Sequence, residues 1–177
     1  MKHKKMLLLT TTALFTALVT VGTTVIQIPV GNGYTHFGDS VIYLAACILP
    51  GPCAVFAASA GAAFADIITG FAVYAPATAV IKALNALPFI LMRIYLKRKN
   101  KDDKILSLQS CLMLIPTTFV TIFGYLTADY FMFGGEFAVV SAITDGWLQP
   151  GGSLVVFIIL AAAFDRINLK KRILRDF

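Results

Sequence analysis

Charge is what this 177-residue chain has least of: Asp, Glu, Lys and Arg make up 14% of it, against 58% hydrophobic residues and a mean hydropathy of +0.81. Soluble domains carry about 25% charged residues, so the composition excludes an ordinary soluble core and indicates an integral membrane protein. Cysteine is scarce too. Cys47, Cys53 and Cys111 form an odd, scattered set with no CxxC, which excludes a disulfide framework or zinc spacing and leaves buried thiols. The chain contains no P-loop, HExxH or GxSxG, so no recognisable motif supplies ATP hydrolysis, metalloprotease chemistry or a serine nucleophile. The alternating segments of a membrane β-barrel are also missing.

What is present reads as helices. At about 20 residues per span with short loops, the length allows six. The apolar runs place them at about 6–28, 39–49, 53–69, 77–96, 105–131 and 153–167, forming one all-α membrane domain over 1–177. The N-terminal run after MKHKK is longer than a signal h-region and lacks a small-residue cleavage site, so it reads as a retained first helix. Pro29 with Gly31 and Gly33 ends that helix, and Pro50-Gly51-Pro52 ends the second. Eleven residues reach only about 16 Å, roughly half the hydrocarbon thickness. The second helix therefore lies deep or is completed by the polar loop before it, a candidate pocket wall because irregular backbone at depth needs shielding or a cavity.

The net charge of +6 raises nucleic acid as a partner, but the placement of the charges argues otherwise. Every Lys and Arg except Lys82 falls in one of three clusters bordering apolar runs: Lys2 to Lys5, Arg93 to Lys104, and Arg166 to Arg175. The positive-inside rule puts all three, and both termini, in the cytoplasm. Loops 29–39, 70–76 and 132–152 then face outward. They hold no Lys or Arg but contain His36, Asp39, Tyr74, Glu136, Asp145 and Trp147.

Asp66 and Lys82 stand inside apolar sequence, at similar depth on neighbouring helices. Ionisable residues at bilayer depth usually face a bundle interior or a wet cavity and often pair, so the two either form a structural pair or at least one of them lines a solute site, and the sequence leaves open whether they touch. Asn85 shares the helical face of Lys82. Asp39 is placed to cap the second helix, and His36 precedes it by three residues; a His36–Asp39 metal pair lacks a further histidine on that side. Tyr34, Tyr74 and Trp147 could stack on a ring, although interface anchoring explains each of them singly.

The segments GYTHFGD (33–39), ADIITGFAVYAPAT (65–78) and IKALNAL (81–87), with ALFTA (13–17) in the first helix, resemble the substrate-binding S component of energy-coupling factor (ECF) vitamin transporters. The similarity runs over most of the chain and is strongest from Gly33 to Leu87. It implies a six-helix subunit of the bacterial plasma membrane without catalysis or cofactor of its own. Such a subunit binds a vitamin from outside and docks on a transmembrane T subunit and two cytoplasmic ATPases. It further implies that Tyr34, His36, Asp39, Lys82 and Asn85 are substrate contacts or gate elements, with Ala13 and Ala17 forming the AxxxA motif that meets the T subunit. A pyridoxine-like or hydroxymethylpyrimidine-like ring is the favoured ligand, followed by riboflavin. Two rival readings are a small intramembrane enzyme using Asp66 with His36 or Asp129 as acid and base, and a lipid-facing scaffold.

Overall fold

In the computed structural model, residues 2–25, 27–30, 33–102, 104–144 and 146–176 are described, except for the side chains of 29, 30, 33–35, 144 and 174–176. Helix α1 (Lys2–Thr24) leads into an antiparallel hairpin of β1 (Gln27–Val30) and β2 (Gly33–His36), in which Gln27 lies opposite His36. Then come α2 (Gly38–Ile48), α3 (Gly51–Ile68), α4 (Ala75–Arg98), the short α5 (Leu108–Leu112), α6 (Leu114–Phe133), α7 (Gly135–Thr144), α8 (Leu148–Arg166) and α9 (Leu169–Asp176).

Among the described residues, five helical stretches are long and apolar enough to cross a membrane: Lys2–Thr24, Gly51–Ile68, Ala75–Arg98, Leu108–Phe133 and Gly135–Arg166. Gly38–Ile48 is apolar but shorter. Their outer faces expose large apolar residues such as Leu9, Phe64, Leu91, Phe123 and Ile159, as expected where lipid is the solvent. The multi-pass membrane reading holds, while several boundaries move. The first helix stops at Thr24 rather than near 28, and the segment expected to be a polar loop pairs as the hairpin. The loop expected over 132–152 contains α7, whose entry is set by Gly134 at φ +95°, a left-handed conformation that suits glycine.

The short α2 lies in the middle of the bundle. Every residue from Ile42 to Ile48 is at most 2% exposed, which is how a helix too short to span stays in an apolar setting. It ends before Pro50, whose ring disfavours helical geometry at the preceding residue, and Leu49 is extended. Packing against α3 depends on small residues: Ala54, Ala57, Ala58, Gly61, Ala62 and Ala65 are buried along one face of α3. Gly61 is the closest approach. A Cβ there would lie 2.7 Å from the Thr16 carbonyl oxygen, and Thr20 Oγ1 donates to the Gly61 carbonyl at 2.8 Å. Beneath the start of α2, Tyr43 stacks on Phe89 of α4 (ring centroids 4.8 Å apart), and both meet Phe157 of α8 edge-on. This aromatic trio forms an apolar floor under the polar groups described next.

Candidate functional site

Lys82, in the second turn of α4, and Asp39, in the first turn of α2, are both fully buried. Lys82 Nζ lies 2.8 Å from Asp39 Oδ1 and donates to Oδ2 at 2.9 Å. Gln149, near the start of α8, donates from Nε2 to the same Oδ2 at 2.8 Å. Three helices thus converge on one carboxylate. Its cationic partner is Lys82, so the ion pair that the structure shows at this lysine is Asp39–Lys82. Asp66 is buried on α3 and acts on Lys82 and Tyr125 electrostatically from its place nearby. Nor does Asp39 cap α2: Phe37 is the N-cap residue, with no side-chain cap hydrogen bond, and the carboxylate turns inward toward the bundle.

The hairpin closes over this pair. His36 is 5% exposed and its Nδ1 accepts the Gly38 N–H at 3.2 Å, while its carbonyl accepts from Ser153 Oγ at 3.4 Å. The Phe37 ring lies against Gly152, where a Cβ would fall 2.4 Å from Cε1, so glycine is needed for the hairpin to sit down on α8. Burial pushes His36 down to about 4, opposed by the Asp39 carboxylate and aided by Lys82. The imidazole is therefore neutral at physiological pH.

Along the opposite flank, α4 and α6 run antiparallel and share a polar ladder. Tyr74 donates to Asp129 Oδ1 at 2.7 Å, Thr78 and Tyr125 share a hydroxyl contact of 3.2 Å, and Asn85 Nδ2 donates to Thr121 Oγ1 at 2.9 Å. Lys82 Nζ lies 5.3 Å from the centre of the Tyr125 ring, within reach of a cation–π interaction. Glycine permits the approach of the two helices here as well, since a Cβ on Gly124 would meet Ile81 at 2.8 Å.

The structure therefore brings together Asp39, Lys82, His36 and Asn85, with Asp66 at the edge and Tyr74 at the outer end of the ladder. Trp147 stands apart, 65% exposed at the N-cap of α8. Asp145 and the Tyr34 side chain lie outside what is described. Ala13 and Ala17 are exposed on α1. For the enzyme reading, Asp129 is engaged by Tyr74, and His36 by Gly38 beside the Asp39 carboxylate. Sequence reasoning missed Gln149 and the α6 ladder as site elements. The signal for the ladder was present: Thr117, Thr121, Tyr125 and Asp129 repeat at a spacing of four, one polar stripe on an otherwise apolar helix.

The described residues thus form a membrane helix bundle with a fully buried ion pair beside a β-hairpin. Residues 3–166 match the family described as the ECF-type riboflavin transporter, S component, and the chain belongs to that family. No curated protein matches the chain. Membership makes it a substrate-specific membrane subunit of an ECF-type transporter, a multi-pass protein of the cell membrane rather than an enzyme family's member.

Proposed function

We propose that the chain captures a small vitamin-like heterocycle from outside the cell at the Asp39–Lys82–Gln149 cluster and presents it for ATP-driven uptake by partner subunits. The observation carrying this reading is the ion pair itself: two fully buried charges plus an amide, gathered from three helices beneath the hairpin. Membrane proteins bear the desolvation cost of such groups chiefly where they serve a pathway or ligand. The cluster has no net charge, which suits a neutral or zwitterionic ring. Lys82 and Asn85 are three residues apart on α4, about 4.5 Å along its axis. That separation spans a single six-membered ring better than a fused tricycle. A pyridoxine-like or hydroxymethylpyrimidine-like ligand is therefore the first reading, and riboflavin the second, favoured by the description of the matched family.

The topology that goes with this function has α2 as a sixth membrane element, with both termini and the basic clusters cytoplasmic. Ala13 and Ala17 give α1 a small-residue face for the T subunit, while the two ATPases act from the cytoplasm. Replacing Ala13 or Ala17 by Trp should abolish co-purification with the T subunit and spare ligand binding.

The test is to purify the protein in mild detergent from cells grown in rich medium, denature it and identify released small molecules by mass spectrometry. Calorimetry with pyridoxine, hydroxymethylpyrimidine and riboflavin follows. A stoichiometric vitamin or precursor is the expected result. An empty protein that binds none of the three would overturn the reading.

A further inference from the structure

Asn85 is fully buried on α4, one turn beyond Lys82. Its Nδ2 donates to Thr121 Oγ1 at 2.9 Å, but its Oδ1 accepts from no group among the described residues. Buried polar atoms are nearly always hydrogen-bonded, and an exception calls for an explanation such as a catalytic or ligand role. The donors of the cluster bond elsewhere: Lys82 and Gln149 donate to Asp39, and Tyr125 shares a hydroxyl contact with Thr78.

We propose that Asn85 Oδ1 is the acceptor for an N–H or O–H of the bound ligand, so that the site selects rings carrying a donor on the edge that faces α4. This rests on reading the cluster as the vitamin site and adds a chemical requirement to it. Exocyclic amines, ring N–H groups and ring hydroxyls qualify. A ring nitrogen or carbonyl at the same place would set one lone pair against another. A site built to hydrogen-bond a polar group rejects an analogue lacking that group far more strongly than an apolar pocket rejects a missing methylene. The preference therefore belongs to Asn85 rather than to pocket size. Among the described residues Asn85 makes one hydrogen bond, to the Thr121 hydroxyl, so an apolar residue there removes a single rung between α4 and α6 and the chain should still fold.

The experiment compares matched probes by calorimetry: 4-amino-5-hydroxymethyl-2-methylpyrimidine with its 4-deamino analogue, pyridoxine with 3-deoxypyridoxine, and riboflavin with N3-methylriboflavin. For the pair that binds, the wild-type chain should prefer the donor-bearing member at least tenfold. Asn85→Leu should weaken that member at least tenfold, shrink the preference to within twofold, and still melt cooperatively, a little below the wild-type temperature, without ligand. Should Asn85→Leu fail to fold, Asn85→Ala reads the same preference. Asn85→Asp, which keeps an acceptor, should keep it. Wild-type preference for the donor-less member, or a preference that survives Asn85→Leu, overturns the assignment while leaving the vitamin reading intact. A lowered melting temperature with unchanged binding does the same, by making Asn85 structural. A wild-type chain that binds no probe overturns both.

Discussion

Two aspartates, Asp39 and Asp102, sit buried among cations at opposite ends of the bundle, and they differ in what their partners hold. Asp102 takes Arg93 Nε at 3.2 Å and Lys170 Nζ; Arg93 also donates to the Leu49 carbonyl, and Lys170 to that of Lys104 at 3.2 Å. Asp165 accepts the backbone N–H groups of Ile105 and Leu106 at 2.8 and 2.9 Å. Four of these six contacts fasten backbone, at the corner after α2 and the turn before α5. Around Asp39 the contacts run from side chain to side chain between helices, and they leave Asn85 Oδ1 unused. Charges that fasten turns hold the fold together. Charges that join helices and leave hydrogen-bonding capacity over are what the proposed binding site requires.

The largest effect should follow from Lys82→Ala. Removing one partner of a buried pair strands the other charge, at a cost of about 3–5 kcal/mol, so this variant should melt far below wild type and bind no ligand. Pairing Asp39→Leu with Lys82→Met removes both charges and should restore most of the melting temperature, because apolar replacement of a buried pair is often neutral or stabilising. Ligand affinity should still be down by well over tenfold. Wild-type affinity in the double variant, measured by calorimetry, would exclude the pair from the binding site.

Asp102→Asn tests the other half of the contrast. It leaves Arg93 and Lys170 facing each other without the anion that both bind, and should cost about 3 kcal/mol of stability. Ligand affinity should stay within twofold of wild type. A ligand-binding defect at unchanged stability would erase the distinction between a fastening end and a receptor end.

Much of this was readable from the sequence. Long apolar runs fixed the spanning helices, and charge scarcity made Asp39, Asp66 and Lys82 conspicuous. The pairing was not readable, because position along a helix gives depth but leaves open which neighbour a side chain faces. Asp66 and Lys82 share a depth, yet α2, central and short, carries Asp39 to the lysine first. The hairpin was hidden because its Pro, Gly and Asn residues read as a loop, although Gln27 to His36 pair across it. Gln149 did not stand out because its stretch reads as part of the polar loop 132–152, whereas the structure places it, buried, in the first turn of α8.

The hairpin adds a pH dependence through His36. With His36 lowered to about 4 from an ordinary 6.5, the unfolded chain binds more protons than the folded one between those values. Stability is full above about pH 6.5 and falls with acidification, by about 1.4 kcal/mol at pH 5.5. Melting curves from pH 7.5 to 5 should show this slope, and His36→Gln should flatten it. Asp39 and Lys82 are the charged groups that act on His36, so the slope should change in sharpness in the double apolar variant without vanishing. A flat wild-type profile would mean that the hairpin admits water to the imidazole.

The smallest effect separates the ladder from the cluster. Tyr74→Phe deletes one hydrogen bond to Asp129, which is 2% exposed, and should cost about 1–2 kcal/mol. The ring's contacts with Tyr125 and Phe133, at centroid distances of 6.4 and 5.8 Å, survive the change. If the Tyr74 hydroxyl serves only to tie α4 to α6, ligand affinity is unchanged and the site ends at Tyr125. A tenfold loss instead would place the Tyr74 hydroxyl against the ligand. The binding site would then run from Asp39 along the α4–α6 seam to Asp129, long enough for a fused ring system, and riboflavin would displace the single-ring ligand as the first choice.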